Sequence, residues 1–199
     1  MGLPIIVSFY TKDWQYPEYA NKLKNDCIRL KIDYDIQELP STGDYIRNTS
    51  LKPQFILDML NKHKRPVLWI DCDGSLLKSP DVLIDFDKSD FDFSAKKCPD
   101  NYVRQYHVGT LCFNYNRYVI NLIETWIDCS FNKQRADDSA FDVAIREFDT
   151  PPKVKLLPDN YFIILKKLTD VPPNRAVIVH RLSQSPSKIK RNRNEKRKV

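Results

Sequence analysis

No stretch of this 199-residue chain approaches the roughly 20 consecutive apolar residues that a membrane-spanning helix needs, so no transmembrane segment is expected. The N-terminus, Met1-Gly2-Leu3-Pro4, has no basic segment leading into an apolar run, which argues against a secretory leader. Gly2 invites comparison with a myristoylation signal, but position 6 is Ile where that signal takes Ser or Thr. The five cysteines, Cys27, Cys72, Cys98, Cys112 and Cys129, form no CxxC pair and no metal-ligand spacing. Odd in number and scattered, they read as reduced thiols in a cytoplasmic protein, most of them buried as small hydrophobes. There is no internal repeat.

The body of the chain also lacks excess charge. Of the 32 basic and 26 acidic side chains, residues 188–199 hold seven Lys or Arg and one Glu, so residues 1–187 are formally neutral. The pI near 9.0 is therefore a property of the end of the chain and gives no sign of a basic nucleic-acid-binding face on the fold. The expected division is one folded domain over 1–187 and a basic, disordered tail over 188–199. That tail could touch phosphate backbones or an anionic surface, but it has no aromatics between its basic residues, which argues against base stacking.

What is present is a core-forming composition, 42% apolar and 12% aromatic, that fits a soluble globular protein. Pro4 to Tyr10 is a short β-branched run that predicts a buried strand. Tyr19, Leu23, Cys27 and Leu30 recur at helical spacing and predict a helix over about Pro17–Lys31. A strand is expected over Ile32–Leu39, a polar loop over Pro40–Ser50, and a helix over Lys52–His63. Pro66 to Ile70 is a third buried strand that ends on Asp71-Cys72-Asp73-Gly74. Alternating strands and helices predict a parallel, doubly wound α/β sheet, in which ligands bind beyond the carboxyl ends of the strands. Beyond this point strands are expected near Phe91–Ala95 and over Val108–Phe113, helices over Tyr115–Cys129 and Asp138–Phe148, and short extended pieces at Val154–Leu157 and Ala176–His180.

Residues i and i+2 of an extended chain point the same way, so Asp71 and Asp73 can present two carboxylates to one space. Such a pair suits a hard divalent cation, Mg²⁺ or Mn²⁺, which shares its oxygen ligands with phosphates. Gly74 would let the chain turn sharply beside the ion. The same run, Asp71-Cys72-Asp73-Gly74-Ser75-Leu76, also resembles the first motif of haloacid-dehalogenase-type phosphatases. In that reading Asp71 is the nucleophile and Asp73 the acid/base, although the motif follows two strand–helix units here rather than opening the domain, and Ser75 replaces the usual Thr.

A broader resemblance runs from about Ile5 to Lys188. Ile6-Val7-Ser8-Phe9-Tyr10-Thr11, Lys52-Pro53-Gln54-Phe55-Ile56, Val67 to Asp73, Val108 to Phe113, Asp137-Asp138-Ser139-Ala140-Phe141 and Ile178-Val179-His180 occur in the order of the GT-A nucleotide-diphospho-sugar glycosyltransferases. The glycogenin-like and galactosyltransferase-like groups are the most similar, and the domain is as compact as small virus- and phage-encoded transferases. The resemblance implies a single domain with a mixed, mostly parallel sheet flanked by helices. It implies a Mn²⁺ or Mg²⁺ site at Asp71, Asp73 and His180, and donor contacts at Ser8, Tyr10, Thr11, Lys52, Asp71, Gly109, Thr110 and Lys188, with Arg181 also near the diphosphate. It gives Asp137 or Asp138 a catalytic place against the transferred sugar, with a helix N-cap as the competing role for one of them. The implied reaction moves a sugar from a UDP- or GDP-sugar to a glycan, glycoprotein or other hydroxyl acceptor. It would take place in the cytoplasm, the host's if the chain is viral; a nucleic-acid base reached through the tail is the alternative acceptor.

Overall fold

A computed structural model describes residues 2–132, 136–148, 150–166, 170 and 172–181. Its elements run β1 (Ile5–Tyr10), α1 (Tyr16–Leu30), β2 (Tyr34–Glu38), α2 (Tyr45–His63), β3 (Val67–Ile70), β4 (Gly74–Leu76), β5 (Phe93–Lys97) and β6 (Tyr106–Phe113). They continue with α3 (Arg117–Asn132), α4 (Asp137–Glu147), β7 (Val154–Leu156), β8 (Ile163–Leu165) and β9 (Ile178–Arg181), with single 3-10 turns at Asp81–Leu83, Phe86–Lys88 and Asp159–Tyr161.

Side-chain alternation along the strands sorts the core into two layers. Ile5 and Val7 of β1 and Val67 and Trp69 of β3 pack with Phe55, Ile56 and Leu60 of α2 and with Leu122 and Trp126 of α3. Their neighbours Ile6, Leu68 and Ile70 face the other way, onto Ala20, Leu23 and Cys27 of α1 and onto Leu76 and Ile178. The main sheet has the order β2-β1-β3-β6-β5-β7. β2, β1 and β3 are mutually parallel, β6 runs antiparallel between β3 and β5, and β7 is parallel to β5. The sheet is thus mixed and mostly parallel, with β6 the departure from the purely parallel pattern that strand–helix alternation predicts.

Helix ends follow local chemistry. α1 has Pro17 in its first turn and stops at Lys31, whose left-handed backbone (φ 56°) donates back to Cys27 and Ile28 carbonyls. α2 starts seven residues before the expected Lys52, because Asp44 caps it by accepting from the Arg47 amide at 2.9 Å. Pro53 then lies inside the helix instead of opening it, where it removes one amide donor.

A second sheet, β4-β9-β8, lies beyond the end of β3. β4 and β9 pair antiparallel with Gly74 opposite His180, so the chain just after the acidic pair is stitched to the last described strand. The Asp26 carboxylate supports β4 from below, accepting from the Leu76 amide at 3.1 Å.

Candidate active site

The carboxyl ends of β1 and β3 open into a cleft of about 520 Å³. Tyr10 and Thr11 line it from the end of β1, Trp14 and Tyr16 from the start of α1, and Tyr45, Asn48 and Thr49 from the first turns of α2. Trp69, Asp71 and Asp73 form the β3 side, and Asp137 and Asp138 the start of α4. Trp14 holds an unusual left-handed backbone (φ 55°), and its ring meets Tyr16 and Tyr19 edge-on.

Alternation carries Trp69 and Asp71 to the same side of β3, where the Trp69 indole donates to Asp71 Oδ1 at 2.8 Å. Lys52 reaches the same oxygen from α2, also at 2.8 Å. Its ammonium further pairs with Asp137, donates to the Val108 carbonyl at 3.3 Å, and lies 5.2 Å from the centre of the Trp69 ring. The Lys52 side chain is only 4% exposed, so its three donors are spent inside the protein. Burial opposes its charge, but the attraction of Asp137 and Asp71 wins and raises its pKa above the usual lysine value. Burial likewise opposes the charge on Asp71, and Lys52 and His180 outweigh it, holding that carboxyl below its usual range.

With Oδ1 occupied, Asp71 turns Oδ2 towards Gly109 and His180. A methyl group on Gly109 would stand 3.1 Å from that oxygen, 3.3 Å from His180 Cε1 and 2.9 Å from Phe162 Cε2. His180 is buried, its Nδ1 3.8 Å from Asp73 Oδ1 and its Nε2 2.7 Å from the Thr110 hydroxyl. One ligand atom each from Asp71, Asp73 and His180 fall within 4.8 Å of one another, and they form a candidate metal site among the described residues. Two carboxylates and an imidazole fit a divalent cation that accepts oxygen and nitrogen ligands. Cys72, between the two aspartates, is not among the converging ligand atoms, and burial pushes its thiol pKa well up.

The site depends on a bulge in β6. β5 pairs Ala95 with Leu111 and the adjacent Lys96 with His107, leaving Val108, Gly109 and Thr110 without β5 partners. Those three residues meet Lys52, Asp71 and His180 respectively: Val108 through its carbonyl, Gly109 by accepting from the Asp71 amide at 2.9 Å, and Thr110 through its hydroxyl. Gly74 is needed for close approach rather than for turning freedom, since a Cβ there would lie 2.5 Å from Ile70 Cγ2 and 2.9 Å from the Asp71 carbonyl oxygen.

Tyr10, Thr11, Lys52, Asp71, Asp73, Asp137 and Asp138 gather at one cleft. Ser8 does not join them: it is fully buried in β1 and its hydroxyl has no hydrogen-bond partner. Thr110 is fully buried behind His180 instead of facing a sugar, and Lys52 is a buried clamp instead of a free arm. Asp137 and Asp138 sit inside the first turn of α4, whose N-cap is Ala136, so neither is the cap. Asp137 is held by Lys52, while Asp138 pairs with Arg104 and accepts from the Ser139 amide. Lys188 and the basic tail lie outside the described residues.

Sequence reasoning missed Trp69, Trp14, Tyr16, Tyr45 and Asn48. Tyr45 and Asn48 were legible through Asp44, a capping residue placed just before them. Lys52 carried its own signal: it shares the helical stripe of Phe55, Ile56, Met59 and Leu60, which marks it as core-facing.

No known family profile and no curated protein matches the sequence. Solved structures do. A glycosyltransferase involved in glycosylation of the major capsid of PBCV-1 superposes with a TM-score of 0.67 at 12% identity, over 98% of this chain and 99% of that one. The glycosyltransferase GlyE of Streptococcus pneumoniae TIGR4 gives 0.62 at 16% identity, over 91% of this chain and 55% of GlyE. The galactosyltransferase LgtC, solved with donor and acceptor sugar analogues, gives 0.56 at 12% identity, over 90% and 87%. At such identities the likeness is one of fold, and the fold it identifies is that of the GT-A glycosyltransferases.

Proposed function

We propose that this chain is a metal-dependent glycosyltransferase that moves a sugar from a UDP- or GDP-sugar to a hydroxyl of a glycan or glycoprotein. The observation that carries the reading is the convergence of Asp71, Asp73 and His180 beside an aromatic cleft in a GT-A fold. Charge favours a cation here. Among the described residues five aspartates line the cleft, at positions 13, 71, 73, 137 and 138, and the lysine lining it, Lys52, pairs with two of them. A diphosphate entering that space meets an excess of negative charge that a bound cation would offset. Asp71, Asp73 and His180 would hold a Mn²⁺ or Mg²⁺ ion there, which would supply Lewis-acid stabilisation of the departing nucleoside diphosphate.

The chain's own residues prepare the site. Lys52 and Trp69 fix Asp71 so that Oδ2 remains available. The aromatic wall of Trp14, Tyr16 and Tyr45 suits a nucleotide base and ribose, with Tyr10 and Thr11 at the same end. Of the acidic pair, we assign Asp138 to the transferred sugar, since its side chain, paired with Arg104, is 28% exposed against 12% for Asp137, which anchors Lys52. The phosphatase reading needs Asp71 as a free nucleophile, yet its Oδ1 is held by both Lys52 and Trp69. Five free cysteines agree with a reducing, cytoplasmic setting, and no described helix is long and apolar enough to cross a membrane.

The test is calorimetric titration of the full chain with a panel of UDP- and GDP-sugars, with Mn²⁺ and with chelator. Tight binding of one nucleotide class only when Mn²⁺ is present is the expected result. Equal affinity in chelator, or hydrolysis of simple phosphate esters, would remove the proposal.

A further inference from the structure

His180 is set apart from the other two ligands by how completely its ring is boxed in. Phe162 lies against one side with ring centres 4.6 Å apart and planes 34° apart. His107 in turn stacks on Phe162 at 4.4 Å and 20°. Gly74 and Gly109 close the edge, since a Cβ on either would come within 3.3 Å of His180 Cε1. The Thr110 hydroxyl meets Nε2 at 2.7 Å inside a strand where Thr110 has no exposure. Only Nδ1 is left facing the acidic corner, 3.8 Å from Asp73 Oδ1.

An imidazole presents a metal with the lone pair of one nitrogen, and the proton on the other is fixed by whatever that nitrogen bonds to. A threonine hydroxyl can accept as well as donate, so it can take the Nε2 proton. We infer that Thr110 is a positioning residue, which, with the Phe162–His107 ring stack behind it, holds His180 as its Nε2–H tautomer so that Nδ1 is a preformed ligand for the divalent cation. This rests on the metal site of the proposed function, and it gives Thr110 a different task from the sugar contact implied by resemblance. His107 adds no competing charge, because burial, then Arg104, Lys96 and His180, bring its pKa down to about 4. Phe162 also touches the space beside Gly109, so a single ring sets both the back of His180 and the approach to Asp71 Oδ2.

The decisive measurement needs neither cation nor donor. Long-range ¹H–¹⁵N correlation spectra of the metal-free full chain, above the pH at which imidazole protonates, separate protonated from bare ring nitrogens. The expected result for His180 is a protonated Nε2 and a bare Nδ1. An Nδ1–H tautomer, or rapid averaging of the two, overturns the inference. Thr110→Val keeps the shape and removes the acceptor; it is expected to mix the tautomers and weaken Mn²⁺ binding, titrated without nucleotide, by about 10- to 100-fold. Thr110→Ser is expected to restore both. Unchanged Mn²⁺ affinity in a folded Thr110→Val variant sinks the inference. Absence of Mn²⁺ binding by the unaltered chain instead sinks the metal-dependent function, while the tautomer still reports on Thr110.

Discussion

Replacing Lys52 by Met tests whether the buried cation clamps the site as the geometry requires. The ammonium makes three contacts, to Asp71 Oδ1 at 2.8 Å, to Asp137, and to the Val108 carbonyl at 3.3 Å, from a side chain only 4% exposed. Methionine fills a similar volume along Trp69 but leaves Asp137, 12% exposed, as a buried carboxylate without its partner. Removing one member of a buried pair destabilises proteins by about 3–5 kcal/mol, because the remaining charge is uncompensated. Against a total stability of about 5–15 kcal/mol the variant should fold, with its midpoint lowered by about 10 °C for a chain of this length. Urea unfolding in chelator is the assay, since a bound cation would partly replace the lost ammonium. Adding Asp137→Asn to Lys52→Met removes the orphaned charge and should recover much of the loss, although Asp137→Asn alone destabilises. A Lys52→Met variant within about 1 kcal/mol of the unaltered protein, or a strictly additive double variant, refutes the clamp.

Other perturbations separate folding from function. Asp73→Ala should abolish transfer while leaving the circular dichroism spectrum and unfolding midpoint in place, because Asp73 contributes no core contact; retained turnover in that variant argues against a metal-centred reaction. Gly109→Ala should fold, since no left-handed backbone is required there, but the new methyl stands 3.1 Å from Asp71 Oδ2 and 2.9 Å from Phe162, so Mn²⁺ affinity should fall by about tenfold or more in calorimetry. Asp35, remote from the cleft, gives a pH signature. Burial would raise its pKa, but hydrogen bonds from Lys62, Gln37 and His63 prevail and lower it to about 2. A folded value below the unfolded one stabilises above about pH 4, and the contribution is lost as the pH falls towards 2. Asp35→Asn should therefore be less stable by about 1 kcal/mol at neutral pH, after allowance for solvent screening, with the difference closing in acid.

The parts of the fold legible in the sequence were those governed by local periodicity. Val67 to Ile70 is wholly apolar and ends on two aspartates, so both the buried strand and the acidic turn could be read directly. The Tyr19–Leu30 spacing placed α1 to within a residue or so. α2 starts at Tyr45 and not at the expected Lys52, because Asp44 in the polar loop is its cap. β4 and β8, three residues each, are too short for a period to show, and they exist because β9 pairs with both. The order of the resembling segments grouped Tyr10, Thr11, Asp71, Asp73 and His180, but it could not show that Ser8 points into the core or that Lys52 is spent between two carboxylates. Those outcomes depend on contacts between residues distant in the chain, such as Lys52 to Val108, 56 residues apart.

The irregularity in β6 explains why an acidic pair at a strand end becomes a site here. Had β6 paired evenly with β5, Val108, Gly109 and Thr110 would have alternated between the two core layers, with their backbone committed to the ladder. The bulge instead frees three successive residues from β5, and each takes up a different task. Val108 gives its carbonyl to Lys52, Gly109 gives its missing side chain to Asp71 Oδ2 and its carbonyl to the Asp71 amide, and Thr110 gives its hydroxyl to His180. Groups from α2, β3 and β9 are thereby referred to one short segment of backbone. In the proposed metal site Asp71 is thus held from across the sheet, and the Asp71-Cys72-Asp73 motif taken alone is expected to bind a cation no better than an exposed aspartate turn.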